Sequence, residues 1–221
     1  MKFYLRDRNE QLVNEWKKFF DDVPDFEISC GDIFAGPKAD AIVSPANSFG
    51  FMDGGIDAVY MRKFGFKLEV NLMERIRKHF NGELVVGQAT IIPTGNVDIP
   101  YLISAPTMRV PGVVKHTVNA YLAFRAVLIA VKKWNVDANT DPHINSLICP
   151  GLGTAIGQIP YFACAKQMYE AYKAIWLDQP ILPNDCADIW YHQQQLTGWA
   201  PTELKVDGRD VTYSKRKGDV E

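Results

Sequence analysis

Apolar positions along the chain change period several times. Phe3-Tyr4-Leu5 reads as a short strand. Leu12, Val13, Trp16, Phe19 and Phe20 then recur at helical spacing, with Asp7 or Asn9 available as the cap and Pro24 as the stop. Phe26 to Cys30 alternates like a strand and ends on the turn signal Gly31-Asp32. Ala39 to Val43 is a short buried run. A helix is expected from near Ile56, with Val59 and Tyr60 turned inward. A second is expected over about Leu68 to Phe80, with Val70, Met73, Ile76 and Phe80 at helical spacing. Ala89 to Ile92 and Tyr101 to Ser104 read as strands, Thr117 to Trp134 as a long helix, Ile144 to Cys149 as a buried strand, and about Tyr161 to Trp176 as a last helix. Strands alternating with helices predict an α/β fold whose sheet is covered on both faces. Ligands of such folds sit beyond the carboxyl ends of the strands.

Two glycine-rich loops each follow a buried strand and precede a helix. They are expected side by side at one rim of the sheet. The first is Asn47-Ser48-Phe49-Gly50-Phe51-Met52-Asp53-Gly54-Gly55, the second Pro150-Gly151-Leu152-Gly153-Thr154-Ala155-Ile156-Gly157. Glycines let the backbone approach a ligand closely, and a helix start turns free N–H groups toward an anion. The second loop reads GxGxxxG with no Lys-Ser/Thr after it, so it is neither a P-loop nor a dinucleotide fingerprint. A tight turn without ligand fits the same residues.

Composition narrows the function classes. The chain has 221 residues, 47% hydrophobic and 23% charged, with a formal net charge of -2. That is one well-buried core with no electrostatic footprint for nucleic acid. A bound nucleotide would be held by backbone N–H groups and shape. Residues 1-180 are expected to form the domain, with 181-221 an extension packed on it through Ile189-Trp190-Tyr191 and ending in a disordered charged segment, Ser214 to Asp219. The four cysteines form no CxxC pair and are expected to behave as small buried hydrophobes. The histidines are dispersed without HExxH, so neither a metal nor another cofactor is called for. No run of about 18 apolar residues spans a membrane and no apolar leader opens the chain, giving the expectation of a cytoplasmic protein.

Several side chains carry both a chemical and a plain structural reading. Asn47 offers donors and an acceptor to ribose hydroxyls, or bonds its own turn. Asp57, in the first turn of a predicted helix, holds or activates water, or is an acid stabilised by the helix dipole. Asp32 accepts from an exocyclic amine, or is an Asx-turn residue. His116 and Arg109 are minor candidates to border the cleft. Phe34, Tyr161, Phe162 and Trp176 are candidates to stack on a base.

Taken in order, Gly31-Asp32-Ile33, Ala39-Asp40-Ala41-Ile42-Val43, Ala46-Asn47-Ser48, Gly54-Gly55-Ile56-Asp57 and Gly151 to Gly157 resemble the motifs of the macrodomain family, over about residues 26 to 177. The resemblance implies a three-layer α/β/α sandwich with a mixed central sheet and a crevice for ADP-ribose. It puts Asp32 and the Ile33 backbone at the adenine, and Asn47 near the distal ribose. Gly55 and Ile56, with Gly54, belong to the loop beside that ribose and the diphosphate. Gly151, Gly153, Thr154, Ala155, Ile156 and Gly157 form the diphosphate loop. Asp57 matches the acid that activates water in the hydrolytic branch. That branch usually carries Asn-Ala-Ala-Asn where this chain has Ser44-Pro45-Ala46-Asn47, and more glycine where Met52-Asp53 stands. Two readings follow. One is hydrolytic removal of ADP-ribose from a modified protein or a small-molecule ester. The other is non-catalytic capture of ADP-ribose-like nucleotides, cyclic ones included.

Overall fold

The strands that alternate in sequence assemble into one sheet. In the computed structural model, which describes residues 1-137, 142-198, 204-206 and 209-211, the order of elements is β1 (Lys2–Asp7), α1 (Glu10–Phe20), β2 (Phe26–Cys30), β3 (Ala41–Ser44), α2 (Gly55–Phe64), α3 (Lys67–His79), β4 (Thr90–Pro93), β5 (Tyr101–Ser104), α4 (Asn119–Asp137), β6 (Ser146–Cys149), α5 (Tyr161–Ile175) and α6 (Cys186–Thr197). A separate antiparallel pair, β7 (Leu204–Val206) and β8 (Arg209–Val211), follows. The six-stranded sheet runs β2-β1-β6-β3-β5-β4. Neighbours are parallel except β4, which pairs antiparallel with β5 at the edge.

Strand alternation sorts the core into two layers. Ala41 and Val43 join Phe3, Leu5, Ile103 and Leu147 on the face covered by α1, α4 and α5. Ile42 joins Leu102, Ile148 and Ile92 on the face covered by α2 and α3. One residue along a strand changes the face, as the pleat requires. The result is the three-layer α/β/α sandwich with a mixed sheet.

Three details differ from the sequence expectations. The buried stripe of α3 is Leu68, Leu72 and Ile76 with the carboxylate Glu69, while Val70 is exposed. The helix begins at Lys67, and Glu69 turns inward because it accepts the Met52 backbone N–H at 2.8 Å. The tail carries α6, Cys186–Thr197, which docks by its last turn. Leu196 and Thr197 are buried and Gln167 donates to the Leu196 carbonyl, whereas Ile189 and Tyr191 are exposed. Cys149 and Cys164 are buried, but Cys30 and Cys186 are exposed, one at the end of an outer strand and one opening a peripheral helix. Ser214 to Asp219 lie outside the described residues. Among the described residues, no helix is long and apolar enough to cross a membrane.

Candidate functional site

The carboxyl ends of β1, β6, β3 and β5 lie next to one another in the sheet, so the loops that leave them converge. They enclose a cavity of about 550 Å³, a typical size for a small-molecule site. Both glycine loops line it, together with Asp7 at the end of β1, Arg8 and Asn9 just after it, and Thr107 and Met108 after β5. Backbone pairing carries β3 and β5 past their ends. Thr107 donates to Ala46 at 3.1 Å, Ser48 donates to the Arg109 carbonyl at 3.1 Å, and Asn47 bridges Met108.

The late loop folds on itself. Ile159 donates to the Gly153 carbonyl at 3.0 Å, Gln158 to Ala155 at 3.1 Å, and Val114 to Gly157 at 2.8 Å. Asp7 Oδ2 takes the Gly151 N–H at 3.0 Å. Among the described residues, the N–H groups of Gly153, Thr154, Ala155, Ile156 and Gly157 find no acceptor in the protein, and all five residues line the cavity. A row of free backbone N–H groups has the chemistry to hold an anion. This one does not belong to a helix start, since α5 opens only after Pro160.

The early loop is stapled by Asn47. Its Nδ2 donates to the Phe51 carbonyl at 2.7 Å, and its Oδ1 accepts from Phe49 at 3.0 Å and Phe51 at 3.4 Å. The amide is thus engaged by its own loop although the residue borders the cavity. Gly54, Gly55 and Ile56 line the same wall, and Phe51 stands half-exposed at its rim.

Asp57 enters from the first turn of α2 and is buried while still lining the cavity. Its Oδ1 accepts from Ser44 Oγ at 2.6 Å. Burial disfavours the charged form and pushes the carboxyl up to about 7, while the Ser44 hydrogen bond pulls the other way. The group therefore changes charge near neutral pH, a property suited to proton transfer.

Asp32 and Ile33 fall outside the cavity lining. They follow β2, the outermost strand, and that loop is drawn toward Arg6, which donates to the Asp32 carbonyl at 2.6 Å. Asp32 Oδ1 accepts from Phe34 N–H at 2.9 Å and Oδ2 pairs with Arg8. The Phe34 bond first, and Arg8 second, lower its pKa. Arg8 is what reaches the cavity instead. Of the four aromatic candidates only Tyr161 lines it, with its hydroxyl accepting from Asn9 Nδ2 at 2.8 Å. Phe34 packs on Tyr60 and Phe64, Phe162 on Phe19, and Trp176 on Phe3. Arg109 pairs with Glu83 at 2.7 Å, and neither it nor His116 lines the cavity. No three His, Cys, Asp or Glu side chains gather into a metal-ligand group among the described residues.

Comparison with known proteins agrees with this fold. The Macro domain family model matches residues 43–168, more than half of the chain. An uncharacterized protein of Aquifex aeolicus is 31% identical over 132 residues, covering 60% of this chain and 72% of that protein. One from Pyrobaculum aerophilum is 31% identical over 138 residues, covering 62% and 69%. The macrodomain of Mycobacterium tuberculosis DarG superposes with a TM-score of 0.54 at 18% identity, over 66% of this chain and 88% of that one. A variant of the Oceanobacillus iheyensis macrodomain solved with ADPR gives 0.51 at 19% identity, over 76% and 88%. At such identities these two structures speak for the fold.

Proposed function

We propose, since this chain belongs to the macro domain family, that its cleft binds ADP-ribose or a close derivative and that Asp57 serves hydrolysis at the distal ribose. The observation that carries the binding reading is the row of unpaired N–H groups from Gly153 to Gly157, on residues that line the cavity. A diphosphate needs such donors here, because Arg8 is the sole cation among the described lining residues and is already paired with Asp32. A relative of the same fold was solved with ADPR.

In the hydrolytic step, the oxygen of water bonds to C1″ as the bond from C1″ to the leaving carboxylate oxygen breaks. Asp57, in its carboxylate form, takes the water proton. The products are free ADP-ribose and the released acid, on a protein side chain or a small molecule. Positive charge developing on the ribose ring is offset by the diphosphate held at the late loop.

One observation favours the second reading, capture without turnover. Asn47 spends its amide on its own loop rather than presenting it to a ribose. Calorimetric titration with ADP-ribose, and with AMP and NAD as controls, tests the binding reading. Saturable binding of ADP-ribose is expected, and none at millimolar ligand would remove it. Release of ADP-ribose from an ADP-ribosylated carboxylate, abolished in Asp57→Ala with binding retained, separates the enzyme from the binder.

A further inference from the structure

Asp57 could point its carboxyl group several ways from the first turn of α2, and what fixes it is not on its own helix. Ser44 is the last residue of β3 and fully buried. Its backbone is locked, with its carbonyl accepting from Ala105 at 3.0 Å. Its hydroxyl donates to Asp57 Oδ1 at 2.6 Å. One residue back, the Val43 carbonyl accepts from the Tyr60 hydroxyl at 3.0 Å. The end of β3 thus grips α2 at two points, and the grip on Asp57 takes one of its two oxygens.

We propose that Ser44 is the positioning residue for Asp57, holding Oδ1 so that Oδ2 is the oxygen turned to the ligand. This rests on the reading of Asp57 as the residue that serves hydrolysis. The register gives a built-in control. Ser104 lies directly beside Ser44 across β5, so both side chains leave the same face of the sheet. Its hydroxyl is buried and has no partner. The two serines share a depth and an environment, but only one holds the carboxyl group. The other charged or titratable groups of the cavity and of the Tyr60 surroundings are Tyr60 on α2, Asp53 in the loop before it, Asp7 at the end of β1 with Arg8 after it, Cys149 at the end of β6 and Tyr161 at the start of α5. Burial keeps the Tyr60 phenol protonated, and Asp7 is engaged by the N–H groups of Asn9 and Gly151. Neither serine hydroxyl is hydrogen-bonded to any of them.

The experiment compares Ser44→Ala, Ser44→Cys, which keeps the volume, and Ser104→Ala. Three readouts are taken: ADP-ribose affinity, the pH profile of ADP-ribose release from a modified carboxylate, and the carbon-13 titration of the Asp57 carboxyl group. Both Ser44 variants are expected to bind ADP-ribose as wild type, to lose about tenfold in kcat, within the usual scale of acid–base assistance, and to move the profile midpoint and the carboxyl titration upward from about 7. Ser104→Ala should match wild type in all three. An unchanged titration in both Ser44 variants, or an equal shift in Ser104→Ala, overturns the proposal. Failure of wild type to release ADP-ribose would remove the hydrolytic reading instead, and the carboxyl titration would still decide what Ser44 does.

Discussion

The two glycine loops look alike in sequence and differ in what their glycines do. In the late loop a Cβ at any of the three glycines forces a neighbour to shift, and at Gly157 that neighbour is backbone. At Gly151 it would lie 2.5 Å from Leu12 Cδ2 and 2.6 Å from Thr154 Oγ1, and at Gly157 it would lie 2.5 Å from the Gly153 carbonyl oxygen. At Gly153 it would meet Ile159 at 2.8 Å, from a backbone already at φ +68. In the early loop Gly50 is confined in the same way, at φ +80 with a Cβ that would lie 3.0 Å from Ile76 Cδ1, but a Cβ on Gly54 or Gly55 beside the cavity would meet nothing within 4 Å. Gly55 still needs its freedom, at φ 56, but Gly54 has an ordinary extended backbone at φ -136 and ψ 163. The late glycines are demanded by the loop's packing on itself, on α1 and on Ile159. The row of free N–H groups comes with that packing. Gly54 answers to no internal demand, and the space beside it belongs to the cavity.

The largest expected effect breaks the late loop. Gly157→Val forces a methine against a backbone oxygen that cannot step aside. A loss of about 3 kcal/mol or more is expected, lowering Tm by roughly 6–12 °C for a chain of this size. Thermal unfolding followed by circular dichroism measures it. A variant as stable as wild type would mean the late loop is plastic, and the contrast would vanish.

Next comes Asp57, where the early side carries a cost in stability. Its folded pKa, about 7, lies above the ordinary 3.8, so the folded state holds a proton that the unfolded chain releases. The stabilisation is complete below about pH 4 and is lost as pH rises to about 7. It amounts to a few kcal/mol at most. Asp57→Asn should remove this dependence and be more stable than wild type at pH 8, with no such advantage at pH 4. Chemical denaturation at the two pH values checks it, and equal stabilities at pH 8 would place the carboxyl group in a wetter site than its burial indicates.

Gly54→Val then sharpens the comparison from the ligand's side. Its Cβ enters cavity space with nothing within 4 Å, and losing a permissive N-cap residue costs about 1 kcal/mol or less. ADP-ribose affinity should drop by about tenfold or more, equivalent to about 1.4 kcal/mol. The same loss at Gly153→Val would be uninformative, since folding suffers there too. Unaltered affinity in Gly54→Val would put the ligand elsewhere in the cleft.

Much of this was legible in the chain because it rests on local patterns. The alternation of strand and helix, the runs Ala39 to Val43 and Ile144 to Cys149 that read as buried strands, and the two loops after them follow from period and turn chemistry. The meeting of those loops follows from the rule that α/β ligands gather past strand ends. Asp7, Arg8 and Asn9, at the end of β1, line the cavity too, but in the sequence Asp7 and Asn9 read only as candidate helix caps. Asn9 is one, its Oδ1 accepting from Leu12 at 3.1 Å. What local pattern does not carry is who meets whom across the sheet. The pairing of Asp32 with Arg8, the choice of Tyr161 among four aromatics, and the inward turn of Glu69 to Met52 each depend on residues far apart in sequence. Ser44 is the sharpest case. In sequence it is the first residue of a departing loop, and only the fold puts its hydroxyl on Asp57.

The smallest expected effect tests whether charge or backbone holds the anion. Arg8 and Asp32 form an ion pair whose side chains are 73% and 38% exposed, so the pair is worth less than about 1 kcal/mol. Arg8→Ala should therefore leave Tm within about 4 °C of wild type. If the N–H groups of Gly153 to Gly157 carry the diphosphate, the same variant should weaken ADP-ribose binding by no more than about fivefold, the scale of one exposed charge. The affinity should also vary only weakly between low and moderate salt, because dipoles pressed against a ligand in a cleft are screened less than an exposed guanidinium. A loss of about a hundredfold in Arg8→Ala, with a steep salt dependence in wild type, would instead make Arg8 the anion's partner. The unpaired N–H row of the late loop would then be a consequence of its glycine packing alone.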